Sequence, residues 1–214
     1  GYLTPMNGSI MVMGQDTTGL PPRLITKLGV ARSFQIPQLY TNMSVLEGML
    51  LSLAAASGEA SSFWKPINRE PWTSEARANL ESFGLSSYAD RAVSELPHGG
   101  RKLLDIALSF ALKPKILLMD EPFSHLDEIT ARKMRFDLME ILGRAKPTIL
   151  FVTHDLGEAV FLSDHIYMMS TKPARIFKQI AIEVPRPRKP EDPVIFDLEK
   201  ELVREFFSVL DAED

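Results

Sequence analysis

At 214 residues the chain has the length of one ordinary domain with room for a subdomain, and its hydrophobic fraction of 45% supports a packed core and excludes wholesale disorder. A formal net charge of −4 argues against a nucleic-acid binder, which carries a basic patch. With no cysteine there is neither a disulfide nor a thiolate metal site, a composition at home in a reducing cytoplasm.

Taken in chain order, residues 9–13 predict a strand and 20–28 a short helix with Pro21 and Pro22 in its first turn. A second strand over 30–34 ends at Gln35. The segment Thr41-Asn42-Met43-Ser44 can cap a helix that starts at Val45. The apolar stretch 45–56 is broken by Glu47 and Ser52, too short and too interrupted to span a bilayer. Residues 58–71 are rich in Ser and Pro and read as a loop. A helix over 72–83 stops at Gly84, and a further short helix is expected over 87–94. Leu96-Pro97-His98-Gly99-Gly100 precedes a helix over 99–112, which Pro114 terminates.

Ile116-Leu117-Leu118-Met119 then runs straight into Asp120-Glu121-Pro122. A short continuous apolar run reads as a strand of a parallel sheet, buried on both faces. Open α/β sheets place ligands at the carboxyl ends of such strands. Adjacent acids there can hold Mg²⁺ on a nucleotide and activate a water, although an isolated Asp-Glu pair is equally readable as two solvated acids in a turn. Ser124-His125-Leu126-Asp127 follows, then a helix over 130–142 with Met134, Leu138, Ile141 and Leu142 on one face. A second apolar strand over 148–152 ends in Thr153-His154-Asp155. A helix over 155–162, a strand over 165–169, a proline-rich linker over 185–190 and a helix over 192–210 complete the chain. His98, His125, His154 and His165 lack metal-ligand spacing. Arg186, Arg188 and Lys189 read as charges of a solvated linker.

The order and spacing of Gln35, the 96–100 segment, Asp120-Glu121, Asp127 and His154 resemble the ATP-binding subunit of an ABC transporter: Q-loop, signature, Walker B, D-loop and switch histidine in sequence over nearly the whole chain. The resemblance implies an α/β fold, a mainly parallel sheet with flanking helices plus a helical subdomain, of the P-loop NTPase type. It divides the chain into a partial nucleotide-binding core at 1–35, a helical subdomain at 36–96, the rest of the core at 97–184, and a proline-rich linker with a C-terminal helix at 185–214. It also implies roles. Glu121 polarises the attacking water, His154 contacts the γ-phosphate, and Gln35 reaches both water and metal. Asp120 holds Mg²⁺ through water. Asp127 meets the phosphate loop of a second subunit. His125 is unusual within its loop and reads better as an exposed side chain. In the signature, Pro97, His98, Gly99 and Gly100 stand where Ser, Gly, Gly and Gln are usual. Proline offers neither hydroxyl nor N–H to a phosphate, while the helix amino terminus still attracts an anion.

The family's phosphate loop ends in Gly-Lys followed by Ser or Thr, and no Gly-Lys pair occurs in these 214 residues. The opening Gly1-Tyr2-Leu3-Thr4-Pro5-Met6-Asn7-Gly8 resembles the segment after the phosphate-loop helix. The expectation is an amino-terminally truncated ATPase that cannot hydrolyse ATP alone; a natural protein without the loop is the alternative. The resemblance implies ATP and Mg²⁺ as ligands and a place on the cytoplasmic face of the cell membrane. The partners it implies are an integral-membrane permease, a second ATP-binding subunit and, indirectly, a solute-binding protein, with no nucleic acid. Residues 7–107 resemble the branched-chain amino-acid or urea importers, notably at Leu28-Gly29-Val30-Ala31-Arg32-Ser33-Phe34-Gln35. Residues 120–210 resemble the nitrate, sulfonate and taurine importers, notably at Glu121-Pro122-Phe123 and Lys172-Pro173-Ala174-Arg175-Ile176. The second half weighs slightly more for substrate. A non-catalytic interaction module paired with a competent ATPase is the rival reading.

Overall fold

The computed structural model describes residues 3, 5–58, 68–144, 147–170, 174–189 and 191–213. Parts of the expected opening segment, most of the 58–71 loop, the Lys172-Pro173 pair and Pro190 lie outside the described residues. The chain forms two units, one of residues 1–119 with 147–150 and one of residues 120–146 with 151–214.

The first unit opens with a minimal antiparallel hairpin, β1 (Met11–Val12) and β2 (Gln15–Asp16). Met13 and Gly14 take φ of 51° and 77°, the two left-handed positions of a tight hairpin turn. The strand expected over 9–13 is therefore half of a hairpin. Helix α1 (Pro22–Lys27) begins on a proline whose fixed φ suits a first turn. Before β3 (Val30–Ser33), Gly29 sits at φ +88°, and a Cβ there would lie 3.2 Å from the Lys115 side chain.

Helix α2 (Val45–Ala56) starts in a full capping box. Ser44 Oγ accepts from Glu47 N at 3.1 Å, and Glu47 Oε2 accepts from Ser44 N at 2.7 Å. Its buried face is Val45, Met49, Leu50, Leu53 and Ala54; helix α3 (Trp72–Ser82) contributes Ala76 and Leu80. The single helix expected over 87–94 is instead two 3-10 turns, Ser86–Tyr88 and Val93–Glu95. The reason lies in the main chain. Val45 and Leu46 donate to Arg91 and Ala89 carbonyls, and Val93 and Ser94 donate to Met43 and Thr41, so tertiary bonds occupy groups that a helix would pair internally.

Helix α4 (His98–Ala111) buries Leu104, Ile106, Ala107 and Ala111. It leads into β4 (Ile116–Asp120), which pairs with β3 in parallel from Val30↔Ile116 to Ser33↔Met119. The sheet order is β3-β4-β5, with β5 spanning Thr148–Val152. Leu117 and Met119 of β4 are buried. Strand β5 ends the order, and its Leu150 and Val152 remain 55% and 52% exposed, so its apolar run does not signify burial on both faces among the described residues.

In the second unit, helix α5 (Glu128–Arg144) buries Met134, Leu138 and Ile141 as expected. Helix α6 (Leu156–Leu162) precedes an antiparallel pair, β6 (His165–Met169) and β7 (Ile176–Ala181), the latter not anticipated. Helix α7 (Pro193–Glu213) follows. Val160, Ile166, Met168, Ile182, Ile195 and Leu202 form the core of this unit, each worth about 1.5–3 kcal/mol over an exposed position.

The reading of Arg188 as a solvated linker charge is corrected by the structure, whereas Arg186 and Lys189 are exposed. Arg188 is 3% exposed. Its Nη1 donates to the carbonyls of Val160, Phe161 and Ser163 at 3.0, 3.3 and 2.6 Å, and its Nε to Val184 at 2.9 Å. Arg186 donates to the Leu162 carbonyl and pairs with Asp164 at 3.1 Å. The two guanidiniums together satisfy the orphan carbonyls at the end of α6, where a cation also suits the helix dipole.

Candidate functional site

Strand β4 delivers Asp120 as its last residue and Glu121 directly after it. Glu121 takes φ of +42°, a left-handed conformation that costs a non-glycine residue about 1–2 kcal/mol. The surrounding main chain enforces it: Glu121 N donates to Val152 O at 2.8 Å, while Ser124 N and Oγ donate to Glu121 O at 3.1 and 2.9 Å. The result is a carboxylate turned onto His154, with Nδ1 and Oε1 2.9 Å apart. The Glu121 side chain is 28% exposed and that of His154 78%. The hydrogen bond from Glu121 and its negative charge raise the His154 pKa above the ordinary 6.5. The Glu121 carboxylate therefore favours the imidazolium form of His154.

The residues around His154 are fixed by a network that sequence reasoning missed. Thr153 Oγ1 donates to Glu158 Oε2 at 2.8 Å and accepts from Asp155 N at 3.0 Å. Asp155 caps α6 by accepting from Glu158 N at 3.0 Å. Glu158 also receives Arg135 Nη1 at 3.1 Å, and Arg135 Nη2 reaches Glu128 at 2.6 Å. Burial pushes the Glu158 carboxyl upward, against the hydrogen bond from Thr153 and the charge of Arg135. An acid three residues after an aspartate cap was the available signal, since that spacing marks a helix start.

Asp127 is occupied locally. Its carboxylate accepts from Thr130 N at 3.0 Å at the start of α5, and hydrogen bonds from Thr130 hold it below the usual carboxylate range. His125, at φ +63°, is exposed and lies in the turn before that cap.

Gln35, Pro97, His98, Gly99 and Gly100 belong to the first unit, and Asp120, Glu121, Asp127 and His154 to the second. Pro97 is the N-cap of α4, at φ −62° and ψ 163°, so the helix begins at His98, one residue earlier than expected. The first-turn amides have no acceptor within the helix and carry the positive end of its dipole. A Cβ at Gly100 would meet Pro97 Cδ at 3.3 Å. A side chain at position 100 would therefore press on the Pro97 ring, which would have to give by a few tenths of an ångström. Gln35 lies just beyond β3 with an exposed side chain, and its main-chain carbonyl accepts from Lys102 Nζ at 2.8 Å.

Asp120 and Glu121 offer hard oxygens suited to Mg²⁺. Among the described residues no three His, Cys, Asp or Glu side chains converge on a common metal position. An ion at Asp120 would therefore draw further ligands from water or a bound molecule.

Residues 1–124 match the ABC transporter family. An ATP-binding protein of Brucella melitensis biotype 1 is 39% identical over 55% of this chain and 49% of its own length. The bicarbonate transport ATP-binding protein CmpD of Synechococcus elongatus is 31% identical over 92% of this chain and 68% of its own. The aliphatic sulfonates import ATP-binding protein SsuB 2 of Burkholderia lata is 32% identical over 100% and 71%. The chain thus spans from about half to about seven tenths of the length of these relatives. A crystal structure of the ADP conformation of an ATP-binding cassette of an ABC transporter superposes with a TM-score of 0.69 at 27% identity, covering 92% of this chain and 78% of that one. With an α/β fold of the P-loop NTPase type and relatives that are ATP-binding subunits of transporters, the chain belongs to the ABC transporter family.

Proposed function

We propose that these residues are part of the ATPase subunit that energises an importer for a small solute of the nitrate, bicarbonate, sulfonate or taurine kind. The observation that carries the reading is the 2.9 Å pairing of Glu121 with His154 behind a left-handed backbone at Glu121. Phosphoryl transfer asks a protein chiefly to position groups and neutralise charge. In this reading Glu121 orients the attacking water and accepts its proton. His154, bound to Glu121 through Nδ1, presents Nε2–H to a γ-phosphate oxygen. The Gln35 amide reaches the water and the ion, and Asp120 holds Mg²⁺ through water. When bound, Mg²⁺ neutralises the phosphate charge. The first-turn amides of α4 face the γ-phosphate held by the opposite subunit, without the hydroxyl that Pro97 cannot supply. Asp127 meets that subunit across the dimer.

The names of the bicarbonate and sulfonate relatives support the substrate class. Among the described residues no helix is long and apolar enough to cross a membrane. In this reading the crossing belongs to a permease, which the dimer contacts from the cytoplasmic face, and a solute-binding protein delivers the substrate.

The test uses a cassette carrying these residues behind a Gly-Lys-Ser/Thr phosphate loop. Glu121→Gln keeps shape and removes the base, so turnover should cease while ATP binding persists and an ATP-dependent dimer accumulates. Hydrolysis near the parental rate would remove Glu121 from the role. The 214 residues alone, which contain no Gly-Lys pair, should release no phosphate from Mg·ATP above background.

A further inference from the structure

Lys102 is 1% exposed and Asp105 7%, on a helix whose other buried positions are mostly apolar. Burying an ammonium and a carboxylate is costly unless both are fully engaged. What engages them is the main chain just past β3, together with one hydroxyl. Lys102 Nζ donates to the carbonyls of Phe34 and Gln35 at 2.6 and 2.8 Å. Asp105 Oδ2 accepts from Phe34 N at 3.0 Å and from the fully buried Ser33 Oγ at 2.6 Å. One turn on, Ser109 Oγ donates to the Asp105 carbonyl at 2.9 Å and reaches Arg32 O at 3.3 Å.

The pairing of β3 with β4 ends at Ser33↔Met119. Beyond that point the main-chain groups of Phe34 and the Gln35 carbonyl are taken up by one face of α4. Lys102 lies two residues after Gly100, in the second turn of the helix whose first turn is His98, Gly99 and Gly100. The helix start and the Gln35 backbone are therefore joined by bonds that span 67 to 72 residues of chain.

We propose that Lys102 and Asp105 are positioning residues: together they clasp the backbone of residues 33–35 to α4, so that the Gln35 side chain and the anion-attracting first turn of α4 move as one body. An apolar pair of the same volume would pack as well but would leave Gln35 free to move independently of the helix. The proposal rests on the reading of Gln35 as a group that reaches water and metal.

The experiment measures kcat and KM for ATP in the phosphate-loop-bearing cassette for Gln35→Ala, Lys102→Met, Lys102→Arg, and the double variant Gln35→Ala with Lys102→Met. Loss of charge-assisted bonds that place one catalytic group predicts a fall in kcat of about tenfold or more for Lys102→Met, with KM changed by less than about threefold. Lys102→Arg should restore most of kcat, because it keeps a charged donor. The double variant should be no slower than Gln35→Ala alone, because both changes act through the same side chain. Multiplying effects, or a rise in KM with kcat intact, would overturn the clasp. If Gln35→Ala lowers kcat and Lys102→Met does not, the clasp fails while the role of Gln35 stands. If Gln35→Ala is silent, the reading of Gln35 fails and the proposal with it. Should Lys102→Met not fold, Asp105→Asn, which keeps the shape and removes the charge, is judged by the same criteria.

Discussion

Arg188→Met should destabilise the protein far more than a change in an exposed proline-rich segment. The methionine retains an unbranched apolar stem and loses every donor. The side chain is 1% exposed and serves four carbonyls, those of Val160, Phe161, Ser163 and Val184, at 2.6 to 3.3 Å. Val160 and Phe161 stand in the last turn of α6, where no following amide of the helix can replace the lost donor. A buried acceptor left unpaired costs about 1–3 kcal/mol. Water will reach some of the four, so a total of about 3–5 kcal/mol is expected, the range for removing one partner of a buried charged network. Against a typical stability of about 5–15 kcal/mol, the midpoint of thermal unfolding should fall by about 6–20 °C for a chain of this size. Circular dichroism, with heat or urea as the denaturant, reads this directly. Arg188→Lys should fall between, since one ammonium cannot span four acceptors as a planar guanidinium does. Lys189→Ala, at an exposed neighbour, should change stability by less than about 0.5 kcal/mol. An Arg188→Met protein within about 0.5 kcal/mol of the parent would refute the capping role.

The His154 imidazole should titrate above 6.5 by NMR, and Glu121→Gln should lower its pKa, because the hydrogen bond and charge of Glu121 raise it. A raised pKa means that the pair's stabilisation is complete below 6.5 and fades as pH climbs through the folded value; an unchanged titration in the variant would contradict the pairing. In the phosphate-loop-bearing cassette, Pro97→Ser should raise turnover about tenfold or more, the value of one charge-assisted hydrogen bond of about 1.5–3 kcal/mol. The φ of −62° and ψ of 163° at Pro97 are ones that a serine cap adopts without strain. Unchanged turnover and ATP affinity in a folded variant would count against the alignment of this segment with the family signature.

The features legible in the sequence were local ones. The apolar run ending at Asp120 and Glu121, the run ending at His154, and the cap at Ser44 each announce themselves within a few residues, because period and capping are properties of a segment. The face of α5 that holds Met134, Leu138 and Ile141 was readable for the same reason. The order of the motifs then carried the family resemblance. Only the tertiary structure decided what the polar side chains do at a distance. Glu121 meets His154 across 33 residues, and Lys102 meets Phe34 across 68. Arg188 folds back 28 residues to the end of α6. The main-chain groups of residues 89–94 are likewise spent on residues 41–46 and not on a helix of their own. A charged residue between prolines has the same pattern in sequence whether it is solvated or buried. The difference is whether the fold brings unpaired carbonyls within reach, since burial of a charge is tolerable only where such partners converge.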